Sequence, residues 1–534
     1  MLPARYSARL VSAAFLTVAL LVCLVARLLT LSQPVLDIDE AAFAAAAVRA
    51  IDRQQPVLQA SRDNKPPGIV ALYRTAFAVG GIYNMPAVHG LGLLWALLTA
   101  GLLWIGCRDF ATAAFADFAA GFYLLGTSLD PHFLAFKTEL AMNLPLAAAF
   151  VLTVAGLRRR SWLAMLLAGA AGGLAFACKQ PAAVILAGLG LGATLYCVLD
   201  RRRIGRLGWL LLPGSLLLGF VLLLAAIAGW YLWHGAFAAL YLQTIALPLD
   251  FAGRTGLSLQ HRVFRTLTDL VHYIGYSQFL FLPAFLGLFA PFLSPNESPD
   301  DPSADGWRIL RPLLPLTALF ALWVLVVAPD LFPAYFMLSF VPLAVGAAAL
   351  GILVFGAAAW GAAVPAQRYL LGGGLALMLG FAAVQSWQQP LQLFLHGRGT
   401  ADALVRTLLA QRAPGDRLYV WGWRPQLYTE ARLLPATRYT MTNILIGATG
   451  EVGRSLDDRT PQRYYEPGAW DAFMRELAAE RPRFIVDAGR MANLDGDYAL
   501  TSYPRIRDYV TENYDRITVA DAGAAILYRR KPGR

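Results

Sequence analysis

Apolar stretches recur along the first three quarters of this chain, each about 20 residues long, enough to cross a hydrocarbon core of about 30 Å as a helix. Within lipid the backbone finds no water to bond, so such runs must close their hydrogen bonds internally as helices. About eleven spans are expected, at 10–31, 86–106, 111–128, 139–157, 161–178, 181–199, 208–232, 274–293, 311–328, 335–356 and 369–387. Only 15% of the 534 residues are charged, against about 25% in soluble domains, which argues against a large soluble helical protein. The fold class expected is therefore mostly α, a polytopic transmembrane bundle.

The formal net charge is +11. In a soluble chain that would raise the question of nucleic acid, but here much of the charge sits in short loops between apolar runs, and no nucleic-acid partner is expected. Arg5 and Arg9 precede the first span, Arg158, Arg159 and Arg160 follow the fourth, and Arg201, Arg202, Arg203 and Arg206 follow the sixth. With strict alternation all three clusters share one side, and the positive-inside rule makes it cytoplasmic. The N-terminus is then cytoplasmic, while loops 32–85 and 233–273 and everything after Gln388 lie outside. The acidic stretch 296–305 falls inside by parity, against the trend, although acidic residues weigh little in the rule. The first run is too long for a signal-peptide core and reads as a retained helix. Cys23, Cys107, Cys178 and Cys197 lie in or beside apolar segments, with no metal-knuckle or redox spacing.

From about residue 400 the pattern changes. Strand-type runs RLYVWGW (417–423), RFIVDA (483–488) and AAILYRR (524–530) alternate with helical patterns at 401–412 and 468–480. That alternation predicts a small α/β domain. The chain is expected to divide into a membrane domain, 1–388, and a soluble domain, 389–534. Of the outer loops, 40–52 reads as a helix at the membrane surface and 236–273 as another interfacial element.

Ionisable residues are costly in or near membrane segments and mark sites or pathways when present. Near span ends on the outer side stand Asp37, Asp39, Glu40, Asp63, Lys65, Asp130, Lys137, Glu139, Lys179 and Asp330. In DIDE (37–40) the packed carboxylates either tune one another into a proton acceptor or cap the following helix. In RDNKPPG (62–68) two prolines fix the path beside Lys65, which suits a phosphate as a point charge or simply sits solvated. Lys179 in CKQP joins two apolar runs with almost no loop, so its ammonium must snorkel or find an anion. Glu139 either faces the acidic cluster or complements a helix dipole. His234 and His261 are weak metal candidates.

Taken in order, DIDEAAF (37–43), NKPPG (64–68), FKTELAMNLPLA (136–147), KQPAA (179–183) and FPAYFMLSFVPLA (332–344) resemble the GT-C membrane glycosyltransferases. The nearest group is that of bacterial protein mannosyltransferases and lipid A aminoarabinose transferases. The resemblance implies a sugar donor carried on polyprenyl phosphate and a lipid, glycan or protein acceptor at the periplasmic face of a bacterial inner membrane, among membrane lipids. By position, Asp39 would be the general base, Glu40 its support, and Glu139 a second acidic residue of the site. Lys65 and Lys179 would hold the donor phosphate. Asp37, Asp63, Asp130, Asp330 and Tyr335 would be further acidic, metal or acceptor contacts. A divalent ion is the one cofactor the resemblance leaves open, and its ligands are unknown. The chain departs from the pattern at Ala42, where relatives often have arginine, at Asn64, where some have a carboxylate, and at Ala334, the position of a histidine. Trp421, Trp423 and Tyr428 would either stack on sugar rings or pack the small domain. The competing classes are a transporter or flippase, which would show repeated halves, and a non-catalytic scaffold.

Overall fold

The computed structural model describes residues 4–128, 131–205, 207–249, 258–293, 304–328, 332–355, 403–446, 466, 468–489, 498–519 and 525–532. In chain order the helices begin α1 (Ala4–Thr30), α2 (Ile38–Arg53), α3 (Val57–Ala60), α4 (Pro67–Gly80), α5 (Met85–Phe110), α6 (Ala113–Gly126), α7 (Pro131–Leu134) and α8 (Thr138–Arg159). They continue with α9 (Trp162–Cys178), α10 (Ala182–Leu199), α11 (Arg201–Ile204), α12 (Gly208–Trp233) and α13 (Phe237–Tyr241). Later helices, Leu259–Gly287, Ala304–Val327 and Phe340–Phe355, are called by their residues.

Among the described residues seven helices are long and apolar enough to cross a membrane: Arg9–Thr30, Met85–Phe110, Thr138–Arg159, Ala182–Leu199, Gly208–Trp233, Asp305–Val327 and Pro333–Val354. The chain is a multi-pass membrane protein. The expected count of about eleven is not established by these residues. The runs at 111–128 and 161–178 form helices of 14 and 17 residues, on the short side for a span at ~1.5 Å per residue. The run at 274–293 is not a separate element, because one helix of 29 residues extends from Leu259 to Gly287. The run at 369–387 lies outside the described residues.

The chain folds into two compact units, both discontinuous in sequence. The first comprises Met1–Thr30, His89–Gly229 and Thr255–Phe394. Its helices meet closely where glycine replaces a side chain. A Cβ on Gly169 of α9 would come within 1.8 Å of the Leu216 carbonyl oxygen, and one on Gly219 of α12 within 1.9 Å of that of Leu166. These two backbones touch, as small residues permit in membrane bundles. One polar crosslink reaches into the interior. Asp117 of α6 accepts from Arg9 Nη1 at 2.6 Å, Ser12 Oγ at 2.8 Å and Trp104 Nε1 at 2.9 Å, which joins α1, α5 and α6.

The second unit comprises Leu31–Val88, Trp230–Arg254 and Leu395–Arg534. Its centre is a five-stranded sheet in the order β2-β1-β3-β5-β4, with β1 (Arg417–Gly422), β2 (Leu434–Pro435), β3 (Phe484–Ala488), β4 (Tyr514–Ile517) and β5 (Ile526–Arg530). The β2, β1 and β3 strands run parallel, whereas β5 pairs antiparallel with both β3 and β4. The small α/β domain read from the sequence is therefore present. The same unit takes in α2, α3, α4 and α13, from the two segments expected as outer loops. Leu242 and Leu247 pack with the domain core of Tyr419, Trp421, Phe473 and Ile485.

Candidate functional site

Two polar clusters gather the residues singled out in the sequence, one in each unit. In the second unit the chain enters α2 at Asp37. This residue is an N-cap in extended conformation, and its Oδ1 accepts from the Asp39 amide at 2.9 Å, satisfying one of the donors that every helix start leaves open. Glu40 is fully buried, and its Oε2 accepts from the Leu36 amide at 2.9 Å. Two of the three carboxylates thus hold the loop onto the helix. Asp39, half-buried between them, sits in the first turn.

Opposite stands α4, which begins at Pro67 with Pro66 as its N-cap. Proline lacks the amide that a helix start would leave unpaired, so the helix opens there and the preceding residues stay irregular. Asp63 Oδ1 accepts from the Asn64 amide at 2.6 Å, and Lys65 Nζ donates to Asn64 Oδ1 at 2.6 Å. The same ammonium lies 3.9 Å from Asp63 Oδ1. Burial pushes the Asp63 carboxyl above its ordinary value, Lys65 and the Asn64 amide pull it back in part, and Asp39 adds to the rise. Tyr73, one helical turn and a half into α4, is fully buried. Burial, then the charges of Glu40, Asp37 and Asp39, hold its phenol protonated. The sequence reading missed Tyr73, since a tyrosine in a helical pattern looks like core.

In the first unit Lys179 is the C-cap of α9, its backbone extended at φ −155° and its amide bonded to the Ala175 carbonyl at 2.9 Å. That placement turns the side chain inward. Its ammonium pairs with Glu139 Oε1, lies 3.4 Å from Thr138 Oγ1, and stands 4.1 Å above the Tyr335 ring. The Thr138 hydroxyl donates to the other Glu139 oxygen at 2.9 Å. Lys179, Glu139 and Thr138 are all buried. A cation and a carboxylate out of water are tolerable only as a well-bonded pair, and the ring face adds a cation–π contact. Buried Lys137, the residue before α8, lies within electrostatic reach of Glu139.

Asp130 and Asp330 lie outside the described residues. His234 bonds the Trp230 carbonyl at 2.8 Å, and His261 bonds Ser258 Oγ at 2.7 Å. Among the described residues no group of three or more His, Cys, Asp or Glu side chains is placed to hold a metal ion. Trp421 and Tyr428 are fully buried and Trp423 is 4% exposed, so the three pack the small domain.

Arg27, also missed in the sequence, lies inside the first long span. It is 1% exposed, and its guanidinium donates to the carbonyls of Thr127, Phe133 and Leu134 at 3.0–3.1 Å. It thus ties down both ends of the loop that leads into Lys137 and Glu139.

No protein-family model and no curated protein sequence matches the chain. Solved structures do. ArnT from Cupriavidus metallidurans bound to undecaprenyl phosphate superposes with a TM-score of 0.61 at 15% identity, over 98% of this chain and 98% of that one. The same protein in the apo state gives 0.58 at 16% identity, over 97% of each chain. The Archaeoglobus fulgidus oligosaccharyltransferase tethered to an acceptor peptide gives 0.49 at 12% identity, over 97% of this chain and 74% of that one. The fold is thus like that of ArnT, and the expected architecture, a mostly α membrane bundle with a small C-terminal α/β domain, is the one found.

Proposed function

We propose that this protein is a membrane glycosyltransferase that moves a sugar from a polyprenyl-phosphate carrier to a hydroxyl of an envelope lipid, glycan or protein. The observation that carries this reading is the match along 98% of both chains to ArnT, a protein solved with undecaprenyl phosphate bound. Nothing in the fold favours transport. The site residues suit the chemistry. The acceptor oxygen attacks the anomeric carbon and loses its proton to a base, while the bond to the carrier phosphate breaks and the phosphate leaves with its electron pair. We assign Asp39 as the base by its place in DIDEAAF and in the first turn of α2. We assign Lys65 and Lys179 to the phosphate by their motifs, NKPPG and KQPAA, and Glu139 holds the Lys179 ammonium in place. Fixed charges of this kind stabilise a leaving group because they need no reorganisation. No step is routed through a metal ion.

The topology follows the arginine clusters: N-terminus in the cytoplasm, Leu31–Val88 and the C-terminal sheet in the periplasm, in a bacterial inner membrane. Purified protein in lipid nanodiscs, supplied with polyprenyl-phosphate sugars and envelope acceptors, is expected to form a covalent product. Asp39→Asn is expected to lose at least about a hundredfold in rate, the lower range for removing a general base. A folded Asp39→Asn protein with normal turnover would refute that assignment.

A further inference from the structure

The Asp63–Lys65 stretch has no regular structure of its own, so its position must be imposed by neighbours. One of them is Gln243, a fully buried amide that the motifs in the sequence do not touch. It sits in a π-helical turn, Leu242–Ala246, between α13 and the residues up to Leu249. A π turn widens the helix and redirects the side chains it carries, and such turns concentrate at functional positions. Both ends of the Gln243 amide are used. Its Nε2 donates to the Leu58 carbonyl at 2.6 Å, and its Oε1 accepts from the Asp63 amide at 3.0 Å. The Leu58 carbonyl, near the end of short α3, also accepts from Arg62 Nη1 at 2.8 Å. Arg62 is held in turn by Glu466 at 2.9 Å and by a backbone bond to the Arg438 carbonyl at 2.9 Å.

One residue before the Asp63 side chain meets Lys65, the backbone is therefore pinned from two directions. Asparagine in its place would be too short to span from Leu58 to Asp63, and glutamate would keep the acceptor but lose the donor. A buried amide with both ends paired is costly to disturb, because each orphaned group pays its own desolvation.

We propose that Gln243 is a positioning residue for the glycosyl transfer, acting through Lys65: by fixing the Asp63 amide and the Leu58 carbonyl it sets where the lysine ammonium meets the carrier phosphate. This rests on the function proposed above. It would make the Trp230–Arg254 segment part of the donor apparatus.

The test is a double-mutant cycle on binding of undecaprenyl phosphate to the full-length protein in nanodiscs, with Gln243→Leu, Lys65→Met and both together. Gln243→Leu is expected to weaken binding about tenfold, and to add nothing in the Lys65→Met background, because residues acting through one another are not additive. Gln243→Glu, which retains the bond from the Asp63 amide, is expected to fall between wild type and Gln243→Leu, and it replaces the latter in the cycle if that variant does not fold. Equal losses in both backgrounds would mean a general packing role and overturn the proposal, as would wild-type affinity in both Gln243 variants. Wild-type protein that binds no undecaprenyl phosphate would overturn the proposed function itself, and this inference with it.

Discussion

Arg49 Nη2 donates to Glu476 Oε2 at 2.9 Å, across 427 residues of sequence. The same guanidinium bonds the carbonyls of Ala60, Pro435 and Ala436 at 2.9–3.1 Å, so the helix that carries Asp39 in its first turn is fastened near its other end to the C-terminal sheet. Glu476 also accepts from Arg438, and the neighbouring pairs Arg417–Asp52 and Arg53–Glu480 continue the seam. Burial draws Arg49 down to about 10, still protonated at neutral pH. Arg49→Met is expected to cost about 3–5 kcal/mol, the range for breaking a buried pair, and to lower transfer by disordering α2. Thermal unfolding followed beside turnover checks it: unchanged unfolding would mean that the pair is dispensable.

Asp63 gives a stability prediction with a definite sign. Its carboxyl is raised in the folded protein, mainly by burial. The folded state therefore holds its proton more tightly than the unfolded state, and the charged form at neutral pH is a cost. That cost is absent below the ordinary value of 3.8, and it grows as pH rises through the raised value. Asp63→Asn should accordingly raise the unfolding temperature at pH 7 and change it little near pH 3.5. An equal gain at both pH values would place the effect in packing instead.

Membrane character was legible because length and hydropathy are local properties, and a run of apolar residues in lipid has one solution. Asp37 was not: the same DIDE sequence allows an N-cap or a reactive carboxylate, and only the extended backbone and the bond to the Asp39 amide reveal the cap. Arg27 and Asp117 escaped because a single charge barely moves the average of a long apolar window, although each proves to be a buried crosslink. The make-up of the second unit was equally hidden. Reading by contiguity separates Leu31–Val88 from the sheet, whereas Arg49, Arg62 and Tyr83 all bond across that gap in sequence.

The proposed topology has a direct check. All four cysteines are buried, so background labelling by a membrane-impermeant maleimide should be low. Asn64→Cys is expected to react from the periplasmic side of intact cells, and Arg159→Cys and Ile204→Cys only after the membrane is opened. Reaction of Arg159→Cys in intact cells would reverse the orientation and remove the periplasmic assignment of the site.

The Lys179–Glu139 pair separates structure from chemistry. Both groups are buried, with Tyr335 closing one side of the ammonium. Lys179→Met alone takes from the buried carboxylate the ammonium that bonds it and is expected to destabilise by about 3–5 kcal/mol. Adding Glu139→Gln removes the stranded charge, so the double variant should recover most of that loss, as apolar or neutral replacements of buried pairs do. Activity should follow the other course. If Lys179 neutralises the departing phosphate, the double variant unfolds near wild type yet stays about a hundredfold or more below it in turnover, the scale on which removing one oxyanion donor is felt. If the pair only braces α8 against the end of α9, turnover returns with stability. Unfolding temperature and single-turnover rate, measured on the three proteins in one lipid, distinguish the two.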